Sequence, residues 1–218
     1  MTRLCRTVVR ALLGAALLAG EPMPAQAQER LGPIPADKMT DAQRQATAAF
    51  RKDRERDPYA FWLGYLRIPE VVVPFLQVQS YVHGVMEVGK GALSEKLTHF
   101  AVLIAARQWT QNVIWKLHDT KAIKSGLEQD LMLALAEGRR PPRMTEDEET
   151  LYDFCIELQR NQSVSDATYA RMLARFGERG IAEATFIQGE YSMMAMFMNV
   201  ARTPLDVGTE PPMKPFPR

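Results

Sequence analysis

Apolar positions recur along this chain at the three- and four-residue spacing of helices, and nowhere alternate long enough to suggest a strand. Asp41 can cap a first helix whose apolar positions are few and small (Ala42, Ala46, Ala49, then Phe50) and whose end, RKDRERD, reads as a solvated face. A densely aromatic stretch, Tyr59 to Leu66, follows. Pro69 fits the first turn of a helix reaching about Val88. Val72, Phe75, Leu76, Val82 and Met86 mark its buried stripe, interrupted by Gln79. Pro74, in its second turn, is expected to end or bend the early ladder.

Downstream the boundaries are sharper. Gly89 and Gly91 punctuate a turn, and Ser94 caps a helix running to about Trp109. Thr110 is expected to cap the next, which Gly126 ends. Leu127–Glu137 forms a short helix stopped by Gly138 before Arg139-Arg140-Pro141-Pro142. Thr145-Glu146-Asp147-Glu148 opens another, with acids in the first turn where the helix dipole favours them. Ser165-Asp166 opens a helix to about Glu178, and Ile181 to about Ala201 is the last and most apolar. No repeat of 20–50 residues is present. The expectation is an all-α fold, one domain of about eight helices over residues 41–203.

The flanks differ in kind. Residues 1–27 have the three parts of a secretory signal: a basic start (Arg3, Arg6, Arg10), the apolar run Ala11–Gly20, and Ala25-Gln26-Ala27 as an A-x-A cleavage site. The run is too short for a bilayer, which needs about 20 apolar residues. The expected mature chain is therefore secreted or periplasmic, with no membrane association once the signal is removed. Residues 28–40 read as an extended leader, and 204–218, with Pro204, Pro211, Pro212, Pro215 and Pro217, as an arm outside the core. Losing Arg3, Arg6, Arg10 and Glu21 takes the net charge from +1 to −1, which gives no electrostatic basis for nucleic-acid binding.

Cleavage also removes Cys5 and leaves Cys155 as the only thiol, so no internal disulfide can form. Cys155 lies on an apolar stripe with Leu151 and Leu158 and reads as a small buried hydrophobe. The remaining chemistry is carried by three histidines. His118 follows Trp115 on a Trp-x-x-His turn, and His99 stands nineteen residues earlier, across the helix break at Trp109-Thr110. Two neighbouring helices can bring both to one cavity. Gln111, Ile114 and His118 share a helix face. His-x-x-x-His and Glu-x-x-His spacings are both absent, so no metal site is expected, even though His83 could join the pair. Met193, Met194, Met196 and Met198 read as core packing.

Leu93 to Gly126 resembles the carboxymuconolactone decarboxylase family, which includes the alkyl hydroperoxide reductase D-type peroxidases. In that pattern Leu-Ser or a similar pair opens an apolar helix bearing a Glu, and a His follows nineteen residues after it. Leu93-Ser94 supplies the opening and His118 the His, while His99 replaces the acid. The resemblance extends over about residues 69–204, including a closing Gly-x-Tyr helix with an Asn, here Gly189, Tyr191 and Asn199. Its peroxidase branch implies cysteines seven and four residues before the His. Gln111 and Ile114 stand there, so thiol peroxidase activity is not expected. The decarboxylase branch has Trp before the His and no cysteine pair, although its Tyr-Glu is here Val113-Ile114.

The resemblance implies that this chain, expected from its first segment to be exported, acts on a small organic acid or lactone by cofactor-free acid/base chemistry, either decarboxylation or isomerisation. His118 would be the principal acid/base, titrating near neutral pH, with His99 its partner. Gln111 and Asn112 would be polar contacts, and Ile114 and Trp115 would shape the cavity. A homo-oligomer, trimer or hexamer, is also implied. The alternative is a non-catalytic small-molecule-binding or structural protein that kept the fold, favoured by the loss of both acids and both cysteines.

Overall fold

Eleven consecutive residues, Leu97–Arg107, are buried without a break, so the helix carrying them must have neighbours on every side. The computed structural model of the protein describes residues 29–206 and 209–214. Among these are eight α-helices and no strand: α1 Asp41–Arg54, α2 Phe61–Tyr65, α3 Val72–Tyr81, α4 Glu95–Gln108, α5 Asn112–Lys124, α6 Gln129–Ala136, α7 Glu146–Asn161 and α8 Asp166–Ala201. The all-α expectation thus holds for the described residues. The expected signal segment 1–27, with Cys5, lies outside them.

Helix α4 is the hub, packing against α5, α7 and α8, while α7 also packs on α8. Helices α1 and α3 form a second layer, and α2 leans on α8. An aromatic cluster of Phe50, Phe61, Trp62, Tyr65, Phe75 and Phe197 fills that side with edge-to-face contacts. On the opposite side Phe100 of α4 stacks on Tyr152 of α7. Cys155 is fully buried, and burial pushes its thiol far above the usual range. That agrees with a packing role.

Helix starts follow their caps, in two cases one residue away from the expected position. Thr40, not Asp41, caps α1 in a capping box with Gln43, and Thr145 does the same for α7 with Glu148. Gln111, not Thr110, caps α5, its side chain accepting from the Val113 N–H at 2.9 Å. Thr110 instead turns the chain in left-handed geometry, at φ 47°. The Pro69–Val88 helix divides into a 3₁₀ turn, Pro69–Val71, then α3, then a π-helical turn, Val82–Met86. Pro74 falls in the first turn of α3, so the ladder changes type ahead of it and the helix runs on.

The two helices expected at the end are both present: α8 is two helical stretches meeting at a kink, where Gly177 has non-helical backbone (φ 66°, ψ −179°). Just past the bend, Glu183 accepts from the backbone N–H groups of Ala92 and Leu93 and fixes the entry to α4. A Cβ at Gly91 would stand 2.6 Å from that carboxylate, so a side chain there would have to displace Glu183 from these N–H groups.

Both flanks are better anchored than expected. The leader contains a 3₁₀ turn, Ala36–Lys38, and Arg30 N–H donates to the Ala201 carbonyl at 2.7 Å. In the tail Met213 is buried, its backbone N–H and C=O both bonded by the Asn112 side chain at 2.9 and 3.2 Å. An apolar side chain with a matching polar clasp outweighs the prolines around it, so this part of the tail belongs to the core.

Candidate functional site

The α4–α5 hairpin brings the two histidines together. His99 Nδ1 and His118 Nδ1 stand 3.3 Å apart, and both rings are buried. Beside them lies Glu87, at the end of the π-helical turn, where its N–H bonds five residues back to the Val82 carbonyl. Such turns widen a helix and recur at functional sites. This one places His83 on the cavity wall and Glu87 behind it, against the histidines. One ligating atom from each of Glu87, His99 and His118 lies within 4.8 Å of the others.

Glu87 is the electrostatic centre. Its Oε1 accepts from Tyr191 OH at 2.8 Å. Its Oε2 lies 2.8 Å from Lys121 Nζ and 3.1 Å from His83 Nδ1. Burial opposes ionisation of Glu87, but the His83 hydrogen bond and the surrounding positive charge outweigh it and hold the carboxyl far below the usual range. Burial pushes the His118 imidazole down to about 3, against the upward pull of Glu87. Burial also lowers His99. Tyr191, buried beside the carboxylate, stays a protonated donor well beyond neutral pH, and its ring meets His118 edge-on.

At neutral pH the cluster is thus one carboxylate and two neutral imidazoles. The expectation that His118 titrates near neutrality does not hold for this site. A second buried acid, Glu190, does sit in that range. Burial raises it to about 7, with the Glu87 charge adding to the rise and a hydrogen bond from Gln79 opposing it. Its Oε2 and the nearby Tyr65 hydroxyl have no hydrogen-bond partner within the protein.

A cavity of about 230 Å³ opens onto this cluster, lined by Gln79, His83, Ile114, His118, Lys121 and Tyr191 together with Tyr59, Trp62, Met194 and Met198. The expected site residues divide accordingly. His118 and Ile114 form walls. His99 sits behind His118 and backs it. Trp115 is buried as packing and does not line the cavity. Gln111 and Asn112 are committed elsewhere. Gln111 donates to Asn199 Oδ1 at 2.8 Å, Asn112 clasps the tail, and both line a separate shallow pocket. Spending their polar groups on the α5 cap and the C-terminal clasp removes them from the site.

Glu87, Lys121 and Tyr191 were not singled out for the site from sequence. The legible signal was His83-x-x-x-Glu87, an i,i+4 pair facing one way, and Lys121 one turn after His118 on the same face. Nothing in the spacing of Glu87 and Tyr191 reveals that they meet, because 104 residues separate them. The chain matches no family model, no curated protein and no solved structure.

Proposed function

We propose that this protein is an exported enzyme that moves protons on a small organic acid or lactone, by decarboxylation or isomerisation, on a carboxymuconolactone decarboxylase-like fold. The observation that carries the proposal is the buried Glu87–His99–His118 cluster at the wall of a cavity sized for a small molecule. His118 faces the cavity and accepts the proton. Its imidazolium is stabilised by Glu87, and His99 receives or returns a proton across the 3.3 Å contact. Lys121 and His83, both partly exposed at the mouth, attract a carboxylate. An anion bound there also offsets the burial that keeps His118 neutral, so the base becomes competent only when substrate is present.

Tyr191, held by Glu87, fits the closing Gly-x-Tyr helix and supports the likeness. Self-association is part of the proposal, supported by Phe186, Met193, Met196 and Val200, which lie exposed along α8. No helix of the described residues is long and apolar enough to cross a membrane.

The test is turnover of a panel of unsaturated carboxylic acids and lactones. General acid/base catalysis contributes about 10²- to 10⁴-fold, so His118→Gln should lower kcat by that factor on any substrate found. Equal turnover by the variant would remove His118 from the mechanism, and binding of these compounds with no turnover would leave a binding protein as the better description.

A further inference from the structure

We infer that Glu87, His99 and His118 form a binding site for one divalent transition-metal ion such as Zn²⁺, Fe²⁺ or Co²⁺. The donor set, two imidazoles and a carboxylate, suits these ions, and three protein ligands leave a position open for water or substrate, as in catalytic centres. The spacing agrees as well. A tetrahedral ion with metal–nitrogen bonds of about 2.0–2.1 Å sets its two nitrogens roughly 3.3–3.4 Å apart. The two Nδ1 atoms stand at 3.3 Å. Without an ion the same contact is a hydrogen bond whose donor depends on the tautomers of the two rings. The carboxylate, within 4.8 Å, needs only a side-chain adjustment to close the triad.

The surroundings fit a second shell. Tyr191 OH holds Glu87 Oε1 at 2.8 Å and orients the carboxylate, a role that typically strengthens a metal site. Lys121 also contacts Glu87, but its side chain is nearly half exposed and can release into water as the ion enters. The ion would border the cavity, because His118 is one of its walls.

This inference rests on the assignment of the cluster as the functional centre; a bound ion would acidify a coordinated water, whose proton passes to solvent, and so supply a proton-accepting group beside the cavity in place of His118. The experiment uses untagged full-length protein stripped with a chelator and titrated with Co²⁺, read by calorimetry and by visible absorption. The expected result is one ion per chain with the intense d–d bands of a four- or five-coordinate site. Affinity should fall at least tenfold in Glu87→Gln and in His118→Gln, each checked for retained helix content. Glu87→Gln is nearly isosteric and serves if the histidine variant fails to fold. No stoichiometric binding, or binding unchanged in the folded variants, overturns the inference. Metal-free protein with full turnover that His118→Gln abolishes would overturn the metal and leave the acid/base proposal standing. One-to-one binding lost in the variants, with no turnover of any substrate by the loaded protein, would establish the metal and remove the acid/base proposal.

Discussion

Glu190 shows how a single buried carboxyl can set the acid–base behaviour of the molecule. Its folded pKa of about 7 exceeds its ordinary 4.5, so between these values the folded state keeps a proton that the unfolded chain releases. The stability this contributes is full below 4.5 and is lost as pH rises through 7. At about 1.4 kcal/mol per unit it amounts to at most about 3 kcal/mol. Glu190→Gln, neutral at every pH, should remove most of that slope. Urea unfolding at pH 5 and pH 8 checks this, and equal slopes in both proteins would show that Glu190 ionises freely. Residues of this kind were hard to find in the sequence. The histidine pair could be located because the family resemblance implies a partner nineteen residues before His118, and the helix break between them lets two neighbouring helices bring both rings together. Nothing in the local sequence marks Glu87 or Glu190 as buried. Only the approach of α8 to the π-helical turn buries them, and that approach is tertiary. Gln111 and Asn112 misled for the converse reason. They occupy the helix start where a site is expected, yet the cap and the tail claim their polar groups.

Helices were legible where side chains close the ends locally. Thr145 with Glu148 and Ser94 before Leu97 are complete signals within four residues, and the structure uses both. The kink in α8 was legible as a helix boundary between Glu178 and Ile181, next to the Gly177 that breaks the helical backbone. Gly177 carries it with φ 66° and ψ −179°, a region essentially reserved for glycine. Nothing lies within 4 Å of a Cβ added there, so strain alone decides the effect of a substitution. Gly177→Ala should cost about 1–3 kcal/mol. The lower entropy of the unfolded alanine chain offsets only about 0.4–1 kcal/mol of this. Thermal or urea unfolding measures it, and a variant as stable as the parent would show that α8 can straighten. The π-helical turn had no sequence signal, since Val82–Met86 continues the apolar spacing of α3 and the extra residue per turn is imposed by what Glu87 must reach.

At the scale of the whole molecule, one domain built around α4 carries a polar cluster where the hub helix, α5, α8 and the π-helical turn meet. The fold class was legible from periodicity because every helix buries a stripe. The depth of the site was not, because burial depends on which stripes face each other. Export is the prediction that belongs here. The mature protein should begin at Gln28 and lie outside the cytoplasm, and amino-terminal sequencing of protein from its native host checks it. An intact Met1 in the cytoplasmic fraction would contradict it.

The central claim is that the Glu87–His99–His118 cluster transfers protons to and from a small molecule in the adjoining cavity. Solvent exchange reports that step without requiring full turnover. Candidate lactones and unsaturated acids would be incubated with the protein in D₂O and followed by NMR for replacement of carbon-bound hydrogen by deuterium. The account predicts exchange at one carbon position of a substrate, slowed about 10²-fold or more by His118→Gln. Exchange at an equal rate in the variant, or none with any compound that the protein binds, would contradict it.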